Sequence, residues 1–456
     1  MVRKNQLIEF TIDRVDFPNK GRGRIDDMEV RVKGGIAGQK VRARVSRRRK
    51  EYVEAKIVDL IEKSPLETEN PCPHFGLCGG CSYQTMAYDR ELEYKKEQVR
   101  SLFKEGGLNI DALAIERSPR VEGYRNKMEY TFGDERKDGP LALGLHRRGK
   151  FYEIVNVHNC NIVDKDFTGI LSAVLGYFSE NKIQYYKKRE HTGYLRHLVV
   201  RKALSTGDIL VNLVTSSQGE LNKEEFVNIL REWEASSISN GSKIVGILHT
   251  TNDSLSDVVQ ADGLELLYGR DYIVEEILGL SFKISAFSFF QTNTFAAEKL
   301  YSMVRELAGD IEDKLVFDLY SGTGTIAQIM ASVAKKVIGI EIVEEAVEKA
   351  RENAKLNELD NVEFLAGDVL KLVDGLDEKP DIIVIDPPRD GIHPKAINKI
   401  IDFGPDRFVY VSCNPVTLVR DLKVFMERGY RVDEVRLMDQ FPRTPHVEAI
   451  VKMERL

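Results

Sequence analysis

The 456-residue chain contains no apolar run of the roughly 18 residues that a membrane helix needs, and Met-Val-Arg-Lys-Asn at its start offers no signal-peptide core. A cytoplasmic protein with no membrane partner is expected. Tryptophan occurs once, and cysteine only five times, at 72, 78, 81, 160 and 413. An odd number of cysteines in so long a chain argues against a disulfide framework and for metal binding or catalysis. Excess positive charge is also missing, with 66 Lys and Arg against 72 Asp and Glu. The whole-chain charge therefore excludes nothing but a uniformly basic nucleic-acid binder. Apolar and charged content are those of a globular protein, and the length suits about three domains; a monomer is expected.

Charge is unevenly placed. Residues 1–63 hold 17 Lys and Arg against 10 Asp and Glu, a local excess of +7 that leaves −13 for the remainder. Arg42, Arg44, Arg47, Arg48, Arg49 and Lys50 are its densest part. Phosphate binding needs a local basic face, which this segment supplies, although a solvated charged strand pair would read the same way.

Short strand-like segments fill residues 5–62: Gln6–Val15, a turn at Gly21 and Gly23, Met28–Lys33, a turn at Gly34–Gly35, then Gln39–Arg49 and Tyr52–Ile61. This spacing predicts a small OB-like β-barrel over residues 1–63. A linker from Ser64-Pro65 to Pro71 follows, then a cysteine loop and a charged amphipathic helix, Met86–Lys104, stopped by Gly106-Gly107. Residues 70–282 read as the cysteine loop and a central α+β domain, with the helix available to pack on the C-terminal domain. Its strands are expected near Lys127–Phe132, Leu141–His146, Leu195–Lys202, Ile209–Thr215 and Ile244–His249, and helices near 165–180 and 222–235.

From residue 283 to 456 the pattern sharpens. Strands at Leu315–Leu319, Lys336–Glu341, Val362–Leu365, Asp381–Asp386 and Arg407–Ser412 alternate with helices, of which Glu344–Asn357 is the strongest. Alternation of this kind makes a parallel sheet with helices on both faces. Arg431–Met438 and Val447–Met453 then follow without a helix and form an antiparallel hairpin. An α/β doubly wound sheet closed this way is the Rossmann-like architecture of S-adenosylmethionine methyltransferases.

Asp318-Leu-Tyr320-Ser-Gly322-Thr-Gly324-Thr lies between a strand and a helix, where glycines let the backbone approach a ligand. Glu341 ends the second strand, where a carboxylate can accept two ribose hydroxyls. Both features would also suit a nicotinamide dinucleotide. Asp386-Pro-Pro-Arg389, at the end of the fourth strand, favours a methyl donor. Adenine-N6 enzymes carry an aromatic residue after these prolines, and Arg389 stands there instead.

Cys413, in Ser-Cys-Asn-Pro after the fifth strand, opens on the same sheet edge. Its position just before a helix predicts an easily ionised nucleophile. Glu448 begins the last strand, which runs antiparallel, so topology brings it towards Cys413. A thiolate, a carboxylate base and a sulfonium donor suit pyrimidine C5: the thiolate adds at C6, the enolate takes the methyl, and the base removes the C5 proton. Cytosine enzymes of this type use two cysteines, and no second one lies nearby, so uracil is favoured.

D-L-Y-S-G-T-G-T, D-P-P-R, S-C-N-P and P-H-V-E together resemble the RNA uracil-C5 methyltransferase family, over essentially the whole chain. Within it the chain is similar to the 23S rRNA branch, which carries an N-terminal TRAM barrel and a [4Fe–4S] cluster, both absent from the tRNA branch. The resemblance implies that Cys413 is the nucleophile and Glu448 the general base. It also implies that Gln291 (in F-F-Q-T-N), Tyr320, Glu341 and Asp386 contact S-adenosylmethionine, with Asp368 (in A-G-D) as a further candidate.

Cys72, Cys78 and Cys81 form C-x5-C-x2-C, which with Cys160 matches neither a zinc ribbon nor the C-x3-C-x2-C of radical enzymes. A cubane accommodates three loop thiolates and one remote thiolate. Zinc, with His74 or His158 as a substitute ligand, remains open on the residues alone, and the resemblance implies [4Fe–4S]. The expected partner is ribosomal RNA presented as a single strand or loop, since the target base must leave its stack. Phe287, Phe289 and Phe290 are either stacking residues or core.

Overall fold

The computed structural model describes residues 2–69, 71–110, 112–372 and 378–456. At the N-terminus, β1 (Leu7–Asp16), β2 (Lys20–Ile25), β3 (Met28–Lys33), β4 (Lys40–Arg48) and β5 (Tyr52–Glu62) close into a barrel in the order β1-β2-β3-β5-β4. Alternation along β1 sends Ile8, Phe10 and Ile12 inward, where they meet Val30, Val41 and Val53. One expected feature differs. Gly21 and Gly23 form no turn but lie inside β2, and a Cβ on Gly23 would stand 2.3 Å from the Thr11 carbonyl oxygen. These glycines serve strand-to-strand approach.

Next come α1 (Tyr88–Glu105), β6 (Ala114–Glu116), β7 (Lys127–Asp134), β8 (Leu141–His146), β9 (Ile154–Asn156), α2 (Lys165–Glu180), β10 (Leu195–Lys202), β11 (Asp208–Thr215), α3 (Lys223–Ser237), β12 (Lys243–Thr251) and β13 (Gly263–Gly269). The central sheet runs β13-β12-β11-β10-β7-β8-β9, with α2 and α3 covering its core. A hairpin of β14 (Tyr272–Ile277) and β15 (Leu280–Ser285) follows, and its Ile273, Phe282 and Ile284 join one core of the C-terminal sheet. The expected division between residues 282 and 283 falls inside β15.

The C-terminal part comprises α4 (Thr294–Ala308), β16 (Leu315–Leu319), α5 (Thr325–Ala331), β17 (Lys336–Glu341), α6 (Glu344–Leu356), β18 (Val362–Ala366), α7 (Val369–Leu372), β19 (Ile382–Ile385), α8 (Pro394–Asp402), β20 (Arg407–Ser412), α9 (Pro415–Glu427), β21 (Tyr430–Met438) and β22 (Glu448–Arg455). Strand order is β18-β17-β16-β19-β20-β22-β21-β6, parallel as far as β20 and antiparallel at β22. Successive residues feed opposite faces: Val316, Val384 and Val409 enter one core, Phe317, Ile383 and Phe408 the other. Val99 and Phe103 of α1 pack in that second core with Leu418 and Phe425, so this helix belongs with the C-terminal sheet.

Candidate active site

Ligands of doubly wound sheets bind beyond the carboxyl ends of the parallel strands. Ser412 of β20 pairs with Ala449 of β22. In an antiparallel ladder the next residue of one strand faces the preceding residue of the other, so Cys413 comes opposite Glu448. Beyond them opens a cavity of about 2310 Å³, whose walls include Gln291, Tyr320, Glu341, Asp386, Cys413 and Glu448. Local chemistry holds the thiol in place. Asn414 caps α9 through Val416 N–H at 3.3 Å, Pro415 takes the first helical position, and Asn414 Nδ2 donates to the Arg389 carbonyl at 2.9 Å. The loops after β19 and β20 are thereby tied together.

The electrostatics correct one expectation. Cys413 is not made acidic by its helix. Burial, with Glu448 and Asp386 adding repulsion, pushes its thiol up to about 12, against the opposing pull of Arg389. The same burial raises Glu448 to about 8, with Asp386 adding, and raises Asp386 to about 7. At neutral pH the thiol is protonated and the two carboxyls share their charge. Arg389 Nη2 lies 2.9 Å from His446 Nδ1, and burial beside Arg389 keeps that imidazole neutral by lowering it to about 4.

At the glycine loop, Glu341 accepts from Gly322 N–H and Val343 N–H, each at 3.0 Å, and retains lone pairs towards the cavity. Gly324 sits at φ +75° where a Cβ would strike the Phe364 ring at 2.5 Å, and Tyr320 adopts φ +65°. Asp318 is fully buried, and neither carboxylate oxygen has a hydrogen-bond partner of ordinary geometry. Burial, Asp386 and Glu341 raise its pKa well above normal. A buried acid group whose one opposing partner is the Ala327 N–H, next to Asp386 and Glu341, would be favoured in its ionised form by a cationic ligand such as a sulfonium amino acid. Asp368 caps the turn of α7 through Leu370 N–H at 2.9 Å and is not part of the cavity wall. Phe290 is buried in the core and Phe287 partly so, whereas Phe289 is 71% exposed at the cavity.

The cysteine loop packs on the central sheet and contributes Phe75, Gly76, Gly79, Gly80 and Ser82 to the wall of the same cavity. Cys78, Cys81 and Cys160 belong to the sheet's core, and the thiols of Cys72, Cys78 and Cys160 all raise that of Cys81, which burial pushes up to about 12. Cys160 is likewise raised to about 11 by burial, while Ile162 and Val163 N–H groups donate to its sulfur. Among the described residues, no three His, Cys, Asp or Glu side chains are drawn into a closed metal-holding group. The donor chemistry nevertheless suits a thiolate-bound group: thiols of Cys72, Cys78, Cys81 and Cys160 near enough to influence one another, backbone donors aimed at Cys160 sulfur, and Gln84 Nε2 at 3.4 Å from Cys81 Sγ. His74 is engaged by Asn159 N–H at 3.2 Å.

Arg389, His446 and Asp318 were not singled out as site residues from the sequence. All three lie within the motifs quoted above, and their importance depends on loop apposition that a linear reading does not show.

The sheet order, the glycine loop under an acidic strand end and the cavity beyond it define a methyltransferase of the S-adenosylmethionine-dependent fold. Residues 87–456 match the tRNA (uracil-5-)-methyltransferase family model, and the chain belongs to that family. It is 52% identical to an uncharacterized RNA methyltransferase of Caldanaerobacter subterraneus subsp. tengcongensis, covering 99% of both chains. It is 51% identical to another from Clostridium tetani, covering 100% of this chain and 99% of that one. The crystal structure of Pyrococcus abyssi tRNA (uracil-54, C5)-methyltransferase with S-adenosyl-L-homocysteine superposes with a TM-score of 0.76 at 28% identity, covering 98% of this chain and 100% of that one. Coverage that complete includes the N-terminal barrel. A barrel in this position therefore does not by itself mark an rRNA enzyme.

Proposed function

We propose that this chain transfers a methyl group from S-adenosylmethionine to C5 of a uridine in 23S rRNA through a Cys413–C6 adduct. The observation that carries it is the Cys413–Glu448 apposition within one cavity that also contains the glycine loop. As Cys413 sulfur bonds to C6, its proton leaves by way of the Asp386 carboxylate to solvent, so that Glu448 stays ionised, and C5 acquires enolate character. C5 then takes the donor methyl, leaving S-adenosylhomocysteine. Glu448 removes the C5 proton, the C6–S bond breaks, and the thiolate regains a proton from Glu448. Gln291, Tyr320, Glu341 and Asp386 are assigned to the donor; Asp368 acts on it through Tyr320, whose hydroxyl it helps raise to about 12 after burial.

RNA bearing 5-fluorouridine tests the chemistry, since fluorine cannot leave as a proton does. A denaturation-stable adduct mapping to Cys413 is expected, and an unshifted band with active wild-type enzyme overturns the covalent route.

For the substrate, the exposed Arg47, Arg48, Arg49 and Lys50 of the barrel support a large phosphate-rich partner. The full-length likeness to a tRNA uracil-54 enzyme favours a second reading, tRNA. Mapping 5-methyluridine in rRNA and tRNA from a knockout strain decides between them. For the four cysteines we propose a [4Fe–4S] cluster that stabilises the central fold. Among the described residues no helix is long and apolar enough to cross a membrane, and we place the protein in the cytoplasm as a monomer.

A further inference from the structure

Residues 147–153 join β8 to β9 and carry two adjacent aromatic rings that stand in solvent. Phe151 is 53% exposed and Tyr152 49%. Their rings meet edge to face with centroids 5.3 Å apart. Each ring has a cation: Lys188 Nζ lies 4.7 Å from the Phe151 centroid, and Arg189 Cζ 4.1 Å from that of Tyr152. His146 lies parallel to Phe151, with centroids 5.1 Å apart. Asp257 organises this group, since its Oδ2 receives Lys188 Nζ at 2.5 Å and His146 Nε2 at 3.3 Å.

The cluster's neighbours connect it to the active site. His146, Arg147 and Arg148 line the same cavity as Cys413. The cysteine loop fastens the hairpin, through Gly79 N–H to the His146 carbonyl at 3.1 Å and Arg148 N–H to the Leu77 carbonyl at 2.8 Å. Exposed rings interleaved with cations offer stacking to bases and charge to phosphates, the combination that binds unpaired nucleic acid. An acidic protein surface would use the cations but leave the rings idle.

We propose that Phe151, Tyr152 and Arg189 form a second RNA site, backed by the Lys188–Asp257 pair, which holds an unpaired nucleotide flanking the target uridine by base stacking and phosphate contact. This rests on the reading of the chain as an RNA enzyme, but not on the uracil chemistry.

The test compares two RNAs, one with long single-stranded flanks around the target uridine and one trimmed to its immediate neighbours. Phe151→Ala/Tyr152→Ala should bind the long RNA about tenfold or more weakly. Binding of the trimmed RNA and single-turnover methylation at saturating RNA should stay at wild-type values, and Tyr152→Phe should bind the long RNA normally. Arg189→Ala, at an exposed position, should lower the salt dependence of long-RNA binding by about one ion. Unchanged long-RNA affinity and salt slope, or equal losses on both RNAs, overturns the proposal. Binding needs no turnover. A wild-type chain that binds long RNA through these residues but makes no 5-methyluridine would sink the uracil reading alone.

Discussion

Arg389 donates through Nη2 to Nδ1 of His446 across 2.9 Å, joining the loop after β19 to the segment that leads into β22. Because the imidazole is neutral, it accepts this bond without competing for charge. The guanidinium is thus held where it lowers the pKa of both Cys413 and Glu448. Arg389→Gln should slow adduct formation about a hundredfold, the usual cost of losing one preorganised electrostatic partner. Affinity for S-adenosylmethionine should be nearly unchanged. Rapid-quench trapping of the adduct, alongside equilibrium binding of the donor, checks both halves.

Asp386 at about 7 and Glu448 at about 8 make the reaction pH-dependent in a stated direction. The base must be ionised to take the C5 proton, so turnover should rise through this range and level off above it. Glu448→Gln should remove the rise and accumulate adduct without product. Stability runs oppositely. Folding raises the Glu448 pKa from its ordinary 4.5, so the folded state binds the extra proton between 4.5 and 8, and stability is lost as pH climbs through that window. Glu448→Gln should therefore be more resistant to denaturant at pH 8 than the parent, by on the order of 2 kcal/mol, and equally resistant at pH 4.

Much of this site was legible because parallel strands buried on both faces read as apolar runs, and each run stops at a polar residue on the ligand edge. Leu315–Leu319 and Arg407–Ser412 were read with the limits the structure gives them. The β14–β15 hairpin was hidden by its turn. Leu278 and Gly279 both adopt positive φ, and leucine in the first position lacks the Asn-Gly signal that marks such a turn. β6 is three residues long, too short for any alternation to register. The ionisation of Cys413 was misread for a different reason. A helix end is visible in sequence, but the burial that raises the thiol appears only once the strands are assembled, with Glu448 and Asp386 adding to it.

Replacing Cys160 by alanine tests the cluster without relying on turnover. Protein reconstituted anaerobically with iron and sulfide should bind about four irons and show a broad visible absorption in the parent. The variant should retain less of both and lose protection of the 72–81 loop against protease. Equal iron and sulfide in parent and variant would remove Cys160 from the ligand set, and zinc in place of iron would identify the alternative metal.

Lys95 tests how the cysteine loop and the catalytic segment are held together. Its ammonium is completely buried between Glu91 at 2.8 Å and Asp439 at 2.7 Å. Glu91 also accepts from Arg443 N–H, whose carbonyl in turn receives the N–H groups of Ser82 and Tyr83. Lys95 therefore bridges two carboxylates at the junction of α1, the cysteine loop and the segment before β22, and the Arg443 guanidinium, 3.3 Å from Glu91, is a second cation there. Lys95→Met keeps the volume but deprives Asp439 of its ammonium and leaves Glu91 with Arg443 alone, which should cost about 3–5 kcal/mol in denaturant unfolding. Adding Glu91→Gln and Asp439→Asn removes those charges and should recover most of the loss. If the single and triple variants unfold alike, packing of the lysine stem, not charge compensation, holds this junction.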